Sequence, residues 1–180
     1  RSRLAKLGLF AAAAVGIAAV CIAACMASPQ AADIKNASLK IYGADEAAMH
    51  VVLDHEIFVP QNYSLLEKLD ALAAELSRSR FKGLPVEVMG IENQKGRKVA
   101  QVNLIEDPAL RTDTGRPITW SGLYFQGSAG GSMTTGTLLR TFLQQEYPGN
   151  WIDGVRFYYE NHPIETAGFD HLELYNIHWR

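Results

Sequence analysis

The chain has 180 residues, a formal net charge of −2 at pH 7 and 48% hydrophobic residues, which suffices for one folded domain of ordinary size. Three of its 17 basic residues, and none of its 19 acidic ones, lie in the first 24 positions. The remainder is therefore mildly acidic. This argues against a nucleic-acid-binding protein, because that class needs a concentrated basic surface.

The first 25 residues have the composition of an export signal. Arg1, Arg3 and Lys6 precede a stretch without charge, which ends Ile22-Ala23-Ala24-Cys25. A basic start, an apolar stretch and small residues before a cleavage site are typical of signal peptides. Cysteine after an aliphatic residue and two alanines resembles the lipobox of bacterial lipoproteins. That resemblance implies cleavage before Cys25 and a diacylglycerol on its sulfur.

Two other interpretations of this segment stay open. A retained transmembrane helix needs about 20 apolar residues, but this stretch is mostly Ala and Gly, which insert weakly, and Ser28-Pro29 breaks a helix soon after it. An ordinary signal peptide would carry no lipid, and Cys21 is a second candidate cysteine. Both cysteines lie in this segment, so no internal disulfide is predicted.

We expect three segments along the chain. Residues 1–24 are predicted to be a lipoprotein signal peptide and residues 25–38 a flexible tether. Residues 39–180 are predicted to form a single domain, which the lipid on Cys25 holds at a membrane outside the cytoplasm.

The predicted secondary structure begins with two strands and a helix. Residues 39–42 form a short strand before Gly43, and residues 51–59 place apolar side chains at odd positions, which predicts a half-buried strand. Ser64 and Glu67 have the spacing of a capping box. Apolar residues then recur at helical spacing as far as Gly83, namely Leu65, Leu69, Leu72, Ala73 and Leu76.

A hairpin and a second helix are predicted to follow. Residues 86–91 and 99–105 are β-rich and flank the turn Asn93-Gln94-Lys95-Gly96. Residues 106–132 form a long loop rich in Gly, Ser, Thr and Pro, and loops of this length are usually functional or disordered. Residues 133–147 form the second helix, capped by Ser132 or Thr134, in which Gly136 permits close packing.

The last predicted elements are strands. Residues 155–159 alternate apolar and polar side chains, Asn161-His162-Pro163 supplies a turn, and residues 171–174 add an edge. Two helices on one face of a mixed sheet would bury both of their apolar faces. We therefore predict an α+β fold in which strand, helix, hairpin, helix and strand follow in that order.

Several strings in this order resemble the GerMN domain of sporulation and spore-germination lipoproteins. They are Ile41-Tyr42, the helix after Pro60, residues 98–104, 127–131 and 139–143, and Ile152 to Phe157. The resemblance implies a small α+β module on the outer face of a bacterial membrane, similar to the ring-building modules of envelope channels and secretion systems. It further implies that the domain contacts other proteins, in which case oligomers are possible. It implies no catalytic residues. The turn at Asn161-His162-Pro163 departs from the family's Asp-Gly or Asn-Gly, and residues 107–122 form an enlarged loop.

A glycine-rich segment before the second predicted helix is the candidate ligand site. Its residues are Gly127, Ser128, Gly130, Gly131 and Ser132. Exposed amides at the start of a helix can hold an anion. Neither a P-loop lysine nor G-x-G-x-x-G is present, so a loop whose glycines permit tight turns is the simpler interpretation. The alternative function is a lipoprotein that binds a small anion or a cell-wall fragment with residues 106–132.

No cofactor, metal centre or catalytic site is predicted. The five histidines lack zinc-ligand spacing, and no serine lies in a nucleophile elbow. Acidic pairs such as Asp54 with Glu56, or Glu106 with Asp107, are usually surface residues rather than glycosidase pairs. A hydrolase is thus the least favoured interpretation.

Aromatic residues supply the last candidate site. Trp120 and Trp151 are predicted to be partly exposed and to form an interface, because exposed Trp is enriched at binding hot spots. The leading prediction is a lipid-anchored, non-catalytic domain that contacts a protein partner in the cell envelope.

Overall fold

The helices and strands form an α+β fold with two sheets. The computed structural model describes residues 35–165, 169 and 171–180. In chain order the elements are β1 (Asn36–Ala44), β2 (Val51–Pro60), α1 (Leu65–Ser79), β3 (Val86–Gln94), β4 (Arg97–Leu104), α2 (Gly127–Leu143), β5 (Gly154–Tyr159), β6 (His162–Pro163) and β7 (His178–Trp179). A π-helical turn, Trp120–Tyr124, precedes α2. The predicted signal and the lipidation residue Cys25 lie outside the described residues.

The strands divide into a hairpin and a mixed sheet. β1 and β2 pair antiparallel in a two-stranded sheet, and the second sheet has the order β3-β4-β5-β6 with β7 also paired to β5. β4 and β5 are parallel, while β3, β6 and β7 pair antiparallel with their neighbours. The predicted α+β class is confirmed. β1 and β2 form a sheet of their own.

The first helix is positioned as its sequence signals predicted. The hydroxyl of Ser64 accepts a hydrogen bond from the Glu67 backbone, and the Glu67 carboxylate accepts one from the Ser64 backbone at 2.7 Å. Gly83 has a φ of 87° and is left-handed as predicted, but it is not the stop, because the helix already ends at Ser79 with Arg80 as its C-cap. The face with Leu69, Leu72 and Leu76 is fully buried. Capping and one apolar face therefore explain α1.

The β3–β4 hairpin is also confirmed. Gln94 pairs with Arg97, so Lys95 and Gly96 form a two-residue turn with φ values of 53° and 85°. Positive φ at both central residues matches the twist of a hairpin. The Asn93 side chain accepts a hydrogen bond from the Gly96 backbone at 2.8 Å and closes the turn.

The bounds predicted for α2 are wrong. The helix begins at Gly127 rather than Met133, so the glycine-rich segment is helical, and neither Ser132 nor Thr134 caps it. The Thr134 hydroxyl instead donates to the Tyr124 carbonyl at 2.9 Å, and this contact joins the helix to the preceding π-helical turn. Tertiary contacts thus outweigh the low helix propensity of glycine.

The last strand pairing also differs from the prediction. After the short strand β6, the segment that pairs with β5 is β7 rather than residues 171–174. The turn between β5 and β6 lies at Glu160 and Asn161, with φ values of 50° and 65°. One Nη atom of Arg180 donates to the carbonyls of Gln144 and Tyr147 at 3.0 and 2.7 Å. This contact holds the last residues of the chain beside the end of α2. It thereby places the residues just before Arg180, which form β7, where they can pair with β5.

The core lies between the sheets and the helices. Leu39 and Ile41 of β1 are fully buried, as are Val102 of β4 and Leu138 of α2. Phe157 of β5 is 1% exposed. A contiguous apolar core of this kind is the main stabilising term for a domain with no disulfide among its described residues.

Gly136 provides a test of how closely α2 packs on the hairpin. A Cβ on Gly136 would lie 2.7 Å from Cγ2 of Val51, a stiff β-branched side chain. Ala is normally better than Gly in a helix by about 1 kcal/mol. We expect Gly136→Ala to destabilise instead, by about 1–2 kcal/mol, because overpacking opposes the gain.

The matched control repeats this change in a Val51→Ala background. There Gly136→Ala should stabilise by about 1 kcal/mol, since the obstructing methyl groups are gone. Urea unfolding measures all four proteins. Equal stabilisation in both backgrounds would contradict the packing argument.

Candidate functional site

The predicted ligand residues lie in the first two turns of α2. Gly127, Ser128 and Ser132 are exposed, whereas Gly131 is buried. Beside this part of the helix is a cavity of about 220 Å³. It is lined by Ala44, Ala48, Arg80, Phe81, Tyr124, Ala129, Gly130, Met133, Thr134 and Thr137. The cavity is small and its walls are mostly apolar.

Arg80 and Tyr124, two of the polar residues around this cavity, already have partners within the protein. Arg80 donates to the Ala44 carbonyl at 3.1 Å and lies 3.4 Å from an oxygen of Asp54. The Tyr124 hydroxyl donates to the Arg80 carbonyl at 3.3 Å, and burial raises the pKa of Tyr124 to about 12. A ligand would have to displace these bonds, so the cavity gives no support to the predicted anion site.

The exposure predicted for two tryptophans is wrong. Trp120 is 0% exposed and Trp151 is 3% exposed. The Trp120 indole donates to the Ile105 carbonyl at 3.0 Å, and the Trp151 indole donates to the Phe142 carbonyl at 2.7 Å. Buried tryptophan normally finds such a partner. Both side chains are parts of the core and offer no surface to a partner.

Glu106 has a structural role. Its carboxylate accepts hydrogen bonds from the backbones of Trp120 and Ser121 at 2.8 and 3.0 Å, and from the Tyr159 hydroxyl at 2.7 Å. Three donors fix the long loop against β5. Of the acidic pair Glu106 and Asp107, the Glu106 carboxylate is thus already occupied by hydrogen bonds within the fold.

The exposed apolar side chains concentrate around β2. Six of the ten large hydrophobic residues that are exposed fall between positions 49 and 66: Met49, Val52, Leu53, Phe58, Tyr63 and Leu66. We refer to these six as the β2 surface. Phe58 is 69% exposed. Val52, Leu53 and Phe58 lie on β2 itself, whereas Met49, Tyr63 and Leu66 lie in the adjoining turn, loop and helix. Single exposed apolar residues are ordinary, but several on one strand are a feature of interaction sites.

The second edge of β1 is bonded to the side chains of Thr141 in α2 and of Gln144, which follows that helix. The Lys40 backbone donates to the Gln144 side-chain oxygen at 3.0 Å, and the Gln144 side-chain nitrogen donates back to the Lys40 carbonyl at 2.6 Å. The Tyr42 backbone donates to the Thr141 hydroxyl at 3.0 Å. These side chains take the place of a neighbouring strand.

The Arg140 side chain of α2 donates to the Val51 carbonyl at the start of β2, but no side chain within the described residues covers the outer side of β2 between His55 and Pro60. Within the described residues no strand pairs with that edge. Glu56 lies opposite Lys40, whose N–H and C=O both point away from β2. When one residue of an antiparallel pair directs its backbone N–H and C=O away from its partner strand, the residue opposite does the same. The backbone groups of Glu56 therefore point away from β1. Glu56, and Phe58 two residues on, therefore present open backbone N–H and C=O groups at the free edge.

The charge of this edge is negative. β2 contains Asp54 and Glu56 but no Lys or Arg. Asp54 contacts Arg80 and His55, whereas Glu56 accepts a hydrogen bond from the Ser38 hydroxyl at 2.5 Å and forms no ion pair within the described residues. Glu56 is thus a carboxylate with remaining acceptor capacity beside an exposed aromatic ring.

The opposite face of β2 is held to α1 through His55. Its Nδ1 lies 3.0 Å from Asp54 and its Nε2 lies 2.9 Å from Glu75. Glu75 also accepts from Arg78 at 2.6 Å. Burial alone would raise the pKa of Glu75, but the hydrogen bonds from Arg78 and His55 outweigh burial and hold the pKa below its usual value.

Sequence analysis missed this site although one signal was present. The alternation over residues 51–59 assigned even positions to solvent, and Phe58 is an aromatic residue at an even position. Leu53 was assigned to the buried set but is 46% exposed, because a bulge at Asp54 shifts the register. An aromatic residue on the polar face of a strand is therefore the pattern that could have located the site.

Two further features bear on the classes of function considered. Across residues 35–165, 169 and 171–180, no group of three His, Cys, Asp or Glu side chains could hold a metal ion. In the same residues, no helix has both the length and the apolar character that crossing a bilayer requires.

Comparison with known proteins leaves the family open. No family model matches the sequence, and no curated protein matches it; the GerMN resemblance therefore stays a prediction. A crystal structure of a Clostridium perfringens protein, provisionally called a lipoprotein, resembles 82% of this chain and 89% of its own. The two share 15% sequence identity with a TM-score of 0.36. A similarity this low carries no conclusion about family, localisation or activity.

The link between β2 and α1 predicts a pH dependence. A depressed folded-state pKa means that ionised Glu75 stabilises the fold above its unfolded-state pKa, and that this stability is lost as the pH falls through the folded-state pKa. Glu75→Gln should cost about 1 kcal/mol at pH 7. The difference from wild type should begin to shrink as the pH falls below the unfolded-state pKa of about 4.3, and it should continue to shrink as the pH falls through the depressed folded-state pKa of Glu75.

Urea unfolding at pH 7 and pH 3.5 measures this difference. Glu87→Gln, which alters an exposed carboxylate on β3, is the control and should change stability by less than about 0.5 kcal/mol. If Glu75→Gln lowered stability equally at both pH values, the ionic link would not be the cause.

Proposed function

We propose that this chain is a non-catalytic domain, anchored outside the cytoplasm through lipid on Cys25, that binds a protein partner along the outer edge of β2. The observation that carries the proposal is the combination of open backbone groups at Glu56 and Phe58 with the apolar β2 surface. Exposed strand edges bind extended segments of other proteins, with main-chain hydrogen bonds for affinity and side-chain contacts for specificity.

Natural strand edges are usually protected, and β2 is only partly so. The bulge at Asp54 and the terminal Pro60 both discourage uncontrolled pairing. Between them, residues 55–60 pair regularly with β1. Phe58 in the middle of that stretch is 69% exposed. An edge that only had to resist pairing would carry a polar or charged residue there instead. An edge that is guarded at its ends and apolar at its centre favours controlled binding.

The alternative, a small-anion or cell-wall-fragment site in residues 106–132, has less support. The side chain of Glu106 and the hydroxyl of Tyr124 form hydrogen bonds within the fold. The nearby cavity is mostly apolar and measures about 220 Å³. Ligand sites for drug-sized molecules usually measure about 300–1,000 Å³ and direct several polar groups inward.

Site-specific crosslinking in the native cells tests the proposed function. A photoreactive amino acid at position 58 should form an adduct with a partner protein, because this side chain lies at the centre of the edge. The control is the same amino acid at Leu123, which is 44% exposed and lies away from β2. An excess of wild-type protein without the photoreactive amino acid should compete for the partner and reduce the adduct. An excess of the Phe58→Ser protein should not reduce it. No adduct at position 58, or equal adducts at both positions, would refute the proposal.

A second experiment tests the anchor. Cys25→Ser should move the protein from the membrane fraction to the soluble fraction, because a thioether-linked diacylglycerol cannot form on serine. Cys21→Ser is the matched control and should leave the protein in the membrane fraction. Membrane retention of the Cys25→Ser protein would show that lipid on this residue is not the anchor.

A further inference from the structure

We infer that the partner supplies an extended segment of a different protein that carries a Lys or Arg and an apolar residue two positions apart. This inference rests on the proposed function and specifies which sequence the edge selects. In the bound state the segment extends the β1–β2 sheet by one strand. Its basic side chain lies beside Glu56 and its apolar side chain lies beside Phe58.

The spacing follows from strand geometry. Residues two apart in a strand project from the same face, and neighbouring strands lie about 4.8 Å apart. Glu56 and Phe58 are two apart, opposite Lys40 and Ser38 of β1. Side chains directly opposite each other across two strands interact. A segment that pairs with both residues therefore needs its own complementary side chains at the same spacing.

The basic residue follows from the charge of the edge. The one Lys opposite Glu56 within the sheet is Lys40, and its ammonium group instead hydrogen-bonds to Glu146. Glu56 consequently has no cation in contact among the described residues, while Asp54 has Arg80. A partner cation beside Glu56 would form an ion pair without displacing an existing one.

A second copy of this chain complements the edge less well than a basic segment does. Antiparallel pairing of two β2 strands about His55 would place Asp54 of each copy opposite Glu56 of the other. Shifting the centre to Glu56 would place the two Glu56 side chains opposite each other. Like charges directly opposite are destabilising. Registers centred on Ile57 or Phe58 avoid this repulsion, but they leave Glu56 without a cation because β2 contains no Lys or Arg. A basic segment therefore complements the edge better than a second copy does.

The segment is short. The bulge at Asp54 interrupts the edge on one side, and Pro60 lacks an amide hydrogen on the other. The regular stretch from His55 to Pro60 has room for a segment of about six residues. Its affinity depends on a few main-chain hydrogen bonds and on the contacts with Glu56 and Phe58, so sequence changes at those two contacts should be measurable.

A panel of synthetic octapeptides tests the inference with the purified full-length protein. Every peptide has an apolar residue at one position and Lys, Arg, Ser or Glu two positions away. Each pair is made with the apolar residue first and with it second, so that both parallel and antiparallel binding are tested. Fluorescence anisotropy measures Kd. We expect Lys and Arg peptides to bind about tenfold more tightly than Glu peptides, because a weak attraction is replaced by repulsion of similar size. Raising the salt concentration should reduce the difference.

Variants of the protein locate the effect. Glu56→Gln should abolish the preference for basic peptides, and Glu56→Lys should reverse it. Glu87→Lys makes the same charge change on an exposed residue of β3 and should preserve the preference. Peptides with methylated backbone nitrogens keep their side chains but cannot donate to the edge, so they should lose binding. Melting curves of each variant confirm that it is folded.

The outcomes separate this inference from the proposed function. An adduct at position 58 together with a peptide panel that shows no charge preference, or is insensitive to backbone methylation, would overturn the inference and leave the proposed function standing. An adduct between two copies of this chain would also overturn the inference. Absence of any position-58 adduct would instead remove the proposed function on which the inference rests.

Discussion

The hydrogen bonds between the backbone of β1 and two side chains at the C-terminal end of α2, one of them from the residue that follows the helix, determine how the rest of this structure is arranged. Gln144 bonds both backbone groups of Lys40, and Thr141 bonds the amide of Tyr42. Thr141 is 0% exposed and Gln144 is 4% exposed. A buried backbone group without a partner costs about 1–3 kcal/mol. These contacts therefore fix α2 where a third strand would otherwise lie, and they leave β2 as the outer strand of the hairpin.

Gln144 links this arrangement to the end of the helix. It follows the last residue of α2, has a φ of 43° and also donates from its side chain to the Thr141 carbonyl at 2.7 Å. Arg180 donates to the Gln144 carbonyl at 3.0 Å from the other direction. The carbonyls at the end of a helix need donors from outside it. The same few residues thus end the helix, hold β1 and fix the last residues of the chain.

The two faces of β2 have different roles. One face packs on the core through Val59 and meets α1 through the contact of His55 with Glu75. The edge and the other face present Glu56 and Phe58 to solvent. A strand already fixed on one side loses little conformational freedom when a segment adds to its other side. Preorganisation of this kind lowers the cost of binding.

Sequence alone determined the elements whose signals are local. The capping box at Ser64 and the turn at Lys95-Gly96 specify backbone geometry within a few residues, and alternation over residues 51–59 specifies a strand, so α1, the β3–β4 hairpin and β2 were predicted. Only the tertiary structure decided that the glycines from Gly127 are helical and that Trp120 is buried, because both depend on residues distant in sequence. It also decided which strand edge stays open. Alternation assigns side chains to the faces of a strand, whereas an edge is open or closed according to what lies beside it. The place beside β1 is occupied by the side chains of Thr141 and Gln144, about 100 residues further along the chain.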